Sequence, residues 1–253
     1  ISLLLLPSGS TQLFILTIGI VAVLFQKFLH QQPIRDLGFR LPQWRWSFYG
    51  IIIPLLILLT IAGIDLIMGW VYFVSLQEYH PVLKLSAGKL TITSLVFIIL
   101  LQWAITLLAA LITEELAFRG YLISRFHFMT PCKAVMISAI MFGLWHAPIA
   151  LLLIKGGWLR GIIYIVNISL LGIVFGWLFI RSKSLIPPSI AHGLWNALEY
   201  TFWGMGNEQG LLLGSHRVLF DPEEGVAGTL ILLVMGARLL IQLKKTAGGS
   251  AAK

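Results

Sequence analysis

Read for its apolar and polar positions, the chain is a series of long apolar runs separated by short polar stretches. A helix needs about 20 predominantly apolar residues to cross ~30 Å of hydrocarbon, so each long run predicts one transmembrane helix. Seven runs qualify: about Thr11–Leu29, Phe48–Leu76, Leu90–Leu111, Lys133–Ile154, Gly161–Ile180, a run from Arg181–Ser184 to about Trp203, and Val226–Leu243. Gln26, Lys27, His30 and Pro33 are stop signals for the first run, and Pro187 and Pro188 suit the first turn of the sixth. The third run carries its helical pattern past Leu111 through Tyr121–Phe128. That is longer than a bilayer, so it must bend or project before Pro131 closes it. Gly172 and Gly176, four apart in the fifth run, predict close helix packing.

The predicted fold is all-α, a polytopic transmembrane helical bundle of about seven spans. It forms a single integral membrane domain over residues 1–246, with 247–253 (AGGSAAK) as a disordered tail or cloning remnant. The stretch Gln31–Trp46 mixes arginines with Phe39, Trp44 and Trp46, as a segment lying at the membrane interface does; a plain loop is the alternative. Gln77–Lys89 and Gly204–Gly225 read as polar loops.

Composition agrees. The chain is 58% hydrophobic and 11% charged, against about 45–50% and about 25% for a soluble domain. The net charge of +8 does not indicate nucleic-acid binding, because the basic residues sit in the short segments between apolar runs. Cys132 is the only cysteine, which excludes an internal disulfide and any Cys-cluster metal site. Lys27, Arg35, Arg40, Arg45, Arg125, Lys133, Arg181, Lys183, Lys244 and Lys245 fall on one side of the alternating spans, ten residues in all. Lys84, Lys89, Lys155, Arg160 and Arg217 are the five on the other. The positive-inside rule then places the C-terminus in the cytoplasm and the N-terminus outside.

Against this background, polar residues inside the spans stand out. A charge at the bilayer centre costs roughly 2.5–3.5 kcal/mol on insertion scales. The stretch Leu111–Arg119 (LITEELAFR) nevertheless holds Glu114, Glu115 and Arg119. Glu115 and Arg119 are four apart on one helical face and can neutralise each other. Glu114 points elsewhere, and a desolvated carboxylate without a cation of its own is suited to act as a general base. Phe142 and His146 share a face of the fourth span, and His192 and Asn196 a face of the sixth. By the orientation above, Glu114, His146 and His192 fall in the cytoplasmic half to the middle of the bilayer, where three helices can bring them to one cavity. Glu199 lies near the same stripe, at its entrance. Asp65, alone in the second span, reads as a helix-facing polar residue. A lone intramembrane histidine is ordinarily a helix–helix hydrogen bond; the three patches together point to function.

The ordered set Glu114-Glu115-x-x-x-Arg119, Phe142-x-x-x-His146 and His192-x-x-x-Asn196 resembles the CPBP family, the CAAX prenyl endopeptidase (Rce1-type) and bacteriocin-processing intramembrane proteases also called the ABI family. Arg35–Leu41 (RDLGFRL) is similar to the basic stretch these proteins often carry, and the motif core covers about residues 88–203. The resemblance implies an intramembrane endopeptidase. Glu114 would activate a water, with His146 holding or sharing its proton, and His192 and Asn196 would donate to the developing oxyanion. Glu115 and Arg119 would brace the helix, and Phe142 would pack the cavity wall. The resemblance favours a metal-free mechanism without a cofactor; zinc on Glu114, His146 and His192 is the alternative. The implied partners are a membrane protein or peptide substrate and the lipid bilayer. A catalytically silent membrane adaptor of the same fold, binding a regulatory protein partner, is the competing reading. A proton-coupled carrier using Asp65, Glu114 and Glu199 lacks the repeats that would support it.

Overall fold

The computed structural model describes residues 9–79, 90–154, 157–204 and 209–250, with side chains from 16 to 245 within those stretches. In chain order the elements are α1 (Gly9–Leu24, running on as a π-helical turn Phe25–Leu29), a 3-10 turn Ile34–Leu37, and α2 (Trp44–Ile67). β1 (Tyr72–Phe73) follows, then α3 (Ile92–Ile112), a π-helical segment Glu115–Ile123, α4 (Pro131–Trp145) and α5 (Ala147–Leu152). The last elements are α6 (Trp158–Ser182), α7 (Ile186–Phe202), β2 (Leu212–Leu213), α8 (Arg217–Phe220) and α9 (Val226–Ser250).

The protein is a helical membrane bundle. Among the described residues, five helical stretches are long and apolar enough to cross a membrane: Trp44–Ile67, Ile92–Ile123, Pro131–Leu152, Trp158–Ser182 and Val226–Lys245. The other two expected runs are also helical. The first contributes a shorter apolar stretch, Leu16–Leu29. The sixth is α7, which is 17 residues long and packs against α2, α3 and α6. Its surroundings are protein rather than lipid, which is why it can carry two motif residues.

Local chemistry sets several of these boundaries. Thr91 and Ser94 close a capping box at the start of α3, which satisfies backbone donors that the helix leaves free. Thr130 caps α4 with Pro131 in its first turn. The second run is shorter than its hydropathy suggested. α2 ends at Ile67, Gly69 turns the chain at φ +66°, and the remainder forms β1, which pairs antiparallel with β2. α9 runs to Ser250, so residues 247–250 of the expected tail are helical, and 251–253 lie outside the described residues. The end of the Gln77–Lys89 loop, from residue 80, is also outside them.

Close approaches lock the helices around the site. A Cβ on Gly193 would come within 2.6 Å of the Leu107 backbone nitrogen, so α7 and α3 touch main chain to main chain. A Cβ on Gly172 would lie 2.9 Å from the Ala139 Cα and one on Gly176 2.9 Å from the Val135 side chain, the tight α4–α6 packing expected from their spacing.

The two ends of the bundle differ. At one end the 3-10 turn buries Leu37 completely, with the Leu37 carbonyl 2.6 Å from where a Gly120 Cβ would sit. The Leu185 N–H donates to the Gly38 carbonyl at 3.0 Å, which seals that end. Nearby, the interface segment expected over Gln31–Trp46 packs inward through Trp46, with Arg45 and Arg181 against its ring at 5.1 and 5.5 Å. The other end carries the β1–β2 pairing and the segment from α8 to Gly225, which Arg160 of α6 ties down through Glu224.

Candidate active site

α3 does not pass smoothly into its extension. Thr113 leaves helical geometry at φ −121°, ψ −92°, its hydroxyl turning back to the Ala109 carbonyl at 2.7 Å. The chain resumes as the π-helical segment that starts at Glu115. Such widened turns concentrate at functional sites because they redirect adjacent side chains. Here the consequence is that Glu114 and Glu115 enter different environments.

Glu115 and Arg119 are both fully buried and pair at 3.3 Å, as their spacing predicts. The guanidinium is also enclosed by ring faces, with Phe142 at 4.2 Å and Phe175 at 5.3 Å. Desolvated cation–π contacts of this kind are worth about 2 kcal/mol. The same Glu115 oxygen that faces Arg119 accepts a hydrogen bond from His192 Nδ1 at 2.9 Å. Glu115 is therefore more than a brace, because it orients a second motif residue.

Glu114 faces the two imidazoles. Its carboxylate lies 3.4 Å from His146 Nε2 and 3.7 Å from His192 Nε2. Both histidines are held from behind. His146 Nδ1 lies 2.8 Å from the Phe142 carbonyl; a carbonyl only accepts, so this nitrogen carries the proton and Nε2 faces Glu114. His192 Nδ1–H is likewise committed to Glu115, which turns its Nε2 the same way. The chain break at His146, where α4 ends and α5 begins with Pro148 in its first turn, places that imidazole at a helix junction rather than mid-span. Phe142 packs edge-on to the His146 ring at 4.6 Å, and Phe175 stacks on His192 at 5.1 Å and 11°.

These groups line one cavity. Glu114, Phe142, His146, His192 and Asn196 all border it, and so do Tyr164, Phe175, Trp195, Tyr200 and Glu223. Asn196 completes the wall one turn after His192. Glu199 does not border the cavity; it is buried behind it, 1% exposed. Asp65 is remote and structural, accepting from Trp203 Nε1 at 3.1 Å.

The second group of lining residues escaped sequence reading. Phe175 sits inside the Gly172–Gly176 packing motif, where an aromatic reads as core. Glu223 lies in the polar loop, where a carboxylate reads as solvated. It is only 4% exposed, and burial pushes it up to about 8, with the Trp195 N–H lowering it and Asp221 and Glu114 raising it. Burial likewise raises Asp221 to about 6, against the lowering effect of Arg217.

Glu114, His146 and His192 are zinc-ligand types. Among the described residues, no group of three or more His, Cys, Asp or Glu side chains is placed to hold a metal ion. Glu114, His146 and His192 face one another as a carboxylate and two imidazoles, with amide and ring donors around them.

Residues 94–198 match the family model for type II CAAX prenyl endopeptidase Rce1-like proteins, a stretch that contains every residue of the three motifs. No curated protein matches the chain. Residues 94–198 are thus similar to the Rce1-like family, as the ordered motifs indicated, and that similarity supports a CAAX-type intramembrane protease at the level of the family.

Proposed function

We propose that this Rce1-like chain is an intramembrane endopeptidase in which Glu114 activates the water that cleaves a peptide bond of a membrane-associated protein or peptide. The observation that carries the reading is the Glu114 carboxylate held 3.4 and 3.7 Å from two imidazole Nε2 atoms in one cavity. Those separations exceed a good hydrogen bond, so neither imidazole ties up the carboxylate, which stays available to a water entering the cavity. Glu114 takes a proton from that water as the oxygen attacks the scissile carbonyl, and His146 shares the proton. The carbonyl oxygen becomes an oxyanion facing His192 and Asn196. The Glu115 carboxylate accepts the His192 Nδ1–H at 2.9 Å and so fixes the orientation of the imidazole that faces the oxyanion. Collapse breaks the C–N bond, and Glu114 returns the proton to the leaving amine. No acyl-enzyme forms.

Glu114→Gln should abolish cleavage of membrane-anchored peptides by purified, reconstituted protein, a loss of at least about 100-fold. Asn196→Ala should cost roughly 100- to 1,000-fold in kcat, the usual effect of removing an oxyanion donor. Wild-type-like cleavage by Glu114→Gln refutes the mechanism. Loss of cleavage with a chelator, restored by zinc, replaces it with the metal reading, and partner binding without any cleavage favours the adaptor.

We place the cavity nearer the end of the bundle that carries β1–β2 and Glu223. The basic loops assign that end to the non-cytoplasmic side, so on the charge rule the site lies from the middle of the bilayer towards the non-cytoplasmic face. Cys132, the only cysteine, is buried, and a cysteine at exposed Ser215 therefore reports sidedness directly. Labelling by an impermeant maleimide from outside is the outcome the charge rule predicts; labelling only from the cytoplasmic side restores the cytoplasmic site.

A further inference from the structure

We propose that Glu223 determines specificity in this cavity, selecting substrates that place a lysine or arginine beside the bond cut by Glu114. The inference rests on the endopeptidase reading and extends it to a substrate class.

Glu223 belongs to none of the three motifs and lies beyond the matched stretch, yet its position is heavily constructed. Asp221 Oδ1 accepts from the N–H groups of Glu223 and Glu224 at 2.9 and 2.8 Å. Asn167 Nδ2 from α6 faces three carbonyls of the same turn, those of Pro222, Glu223 and Gly225, at 3.4, 3.0 and 3.1 Å. Trp195, between His192 and Asn196 on α7, donates its indole N–H to Glu223 Oε1 at 2.8 Å. The helix that supplies the oxyanion donors also fixes this carboxylate in the opposing wall.

A glutamine would accept the same indole hydrogen bond without the desolvation penalty of a buried acid. The ionisable group is therefore out of proportion to a purely structural role. The cavity lining holds two carboxylates, Glu114 and Glu223, and neither lysine nor arginine. In a water-poor cavity this arrangement attracts a cationic side chain and opposes a carboxylate, including the free C-terminus of a substrate cut close to its end.

The charged and titratable groups acting on Glu223 are Glu114 from the α3 break, Tyr164 from α6, Glu199 and Tyr200 from α7, and Asp221 from its own turn. None is a cation. The empty cavity holds Glu223 protonated near neutral pH, and an entering ammonium or guanidinium displaces that proton. Selectivity for a basic residue therefore rises with pH.

The test uses internally quenched, membrane-anchored peptides cut by the reconstituted full chain. They are identical except for Lys, Gln, Glu or Leu at each of the two positions on either side of the cleaved bond. The expected result is a Lys-to-Gln ratio of kcat/KM of about 10 or more at one position, with Glu disfavoured there. Glu223→Gln should bring that ratio near one, and the wild-type ratio should climb from pH 6 to pH 9 while the variant's stays flat. A structural role would slow all peptides together and leave the ratio intact, which overturns the proposal. So does Glu114-dependent cleavage with no basic preference at any position. Cleavage that is absent throughout, or indifferent to Glu114→Gln, overturns the endopeptidase reading and this inference with it.

Discussion

The buried Glu115–Arg119 pair offers the sharpest test of how the site is supported. Glu115→Gln leaves the Arg119 guanidinium at 0% exposure with no counter-charge on the residue it faces. Its remaining contacts include the Phe118, Phe142 and Phe175 faces and a long approach to the Gly172 carbonyl at 3.5 Å. Breaking a buried pair in this way costs about 3–5 kcal/mol. Arg119→Met leaves the converse, a fully buried Glu115 with only His192 Nδ1–H as donor, and should cost a similar amount. Changing both residues removes both desolvation penalties, and methionine still fills the aromatic pocket. Replacing a buried pair by apolar groups is often neutral, so the double variant should lie within about 2 kcal/mol of wild type, several kcal/mol short of the summed singles. For a chain of this size 1 kcal/mol moves the midpoint by about 2–4 °C, so each single variant should lose about 6–20 °C and the double far less. Tryptophan fluorescence during thermal unfolding in detergent reads all three. The double variant should also cleave poorly despite its stability, because His192 has lost the carboxylate that orients its imidazole. A double variant whose loss equals the sum of the singles within about 0.5 kcal/mol refutes the claim that these charges offset each other.

Two other perturbations follow from the packing and the loop. Gly193→Ala pushes a methyl against the Leu107 backbone at 2.6 Å; overpacking costs about 1–3 kcal/mol, and because His192 is the adjacent residue, kcat should fall more than KM rises, read by steady-state cleavage. Asp221 and Glu223, raised by burial from 3.8 and 4.5 to about 6 and about 8, hold protons in the folded chain that the unfolded chain releases. Stability is therefore greatest below about pH 4 for these two groups and declines as pH rises towards 8, so the protection factors of the α8–Gly225 amides, corrected for base-catalysed intrinsic exchange, should be lower at pH 9 than at pH 6. Asn167→Ala should abolish most of that difference by freeing the segment at both values, and unchanged exchange in the variant would show that the three-carbonyl clasp does not hold it.

The sequence exposed what depends on spacing. Apolar runs located the helices, and four-residue spacings paired Glu115 with Arg119 and grouped His146 with Phe142. The family match over 94–198 agrees with the ordered motifs. Other features depended on interactions that a linear reading does not contain. Hydropathy carried the second run past Ile67 because Tyr72 and Phe73 are apolar, whereas strand pairing to Leu212 and Leu213 decided their conformation. Glu199 was drawn to the cavity by helical phase, but the neighbouring loop covers it. Glu223 was invisible for the opposite reason: its loop is polar in composition, and only tertiary hydrogen bonds from Trp195 and Asn167 draw it inside.

The division of labour within LITEELAFR is consequently less clean than a structural pair beside a catalytic acid. One oxygen of Glu115 serves both Arg119 and His192, while the other has no hydrogen-bond partner. The carboxylate that neutralises the buried cation also orients the imidazole facing the oxyanion. The aromatic residues join the same network, since Phe142 touches Arg119 and His146, and Phe175 touches Arg119 and His192. A change at Arg119 therefore reaches His192 by two routes, through Glu115 electrostatically and through Phe175 by packing. That coupling explains why costly charges persist together in a membrane helix: removing one disturbs both the fold and the geometry on which Glu114 depends.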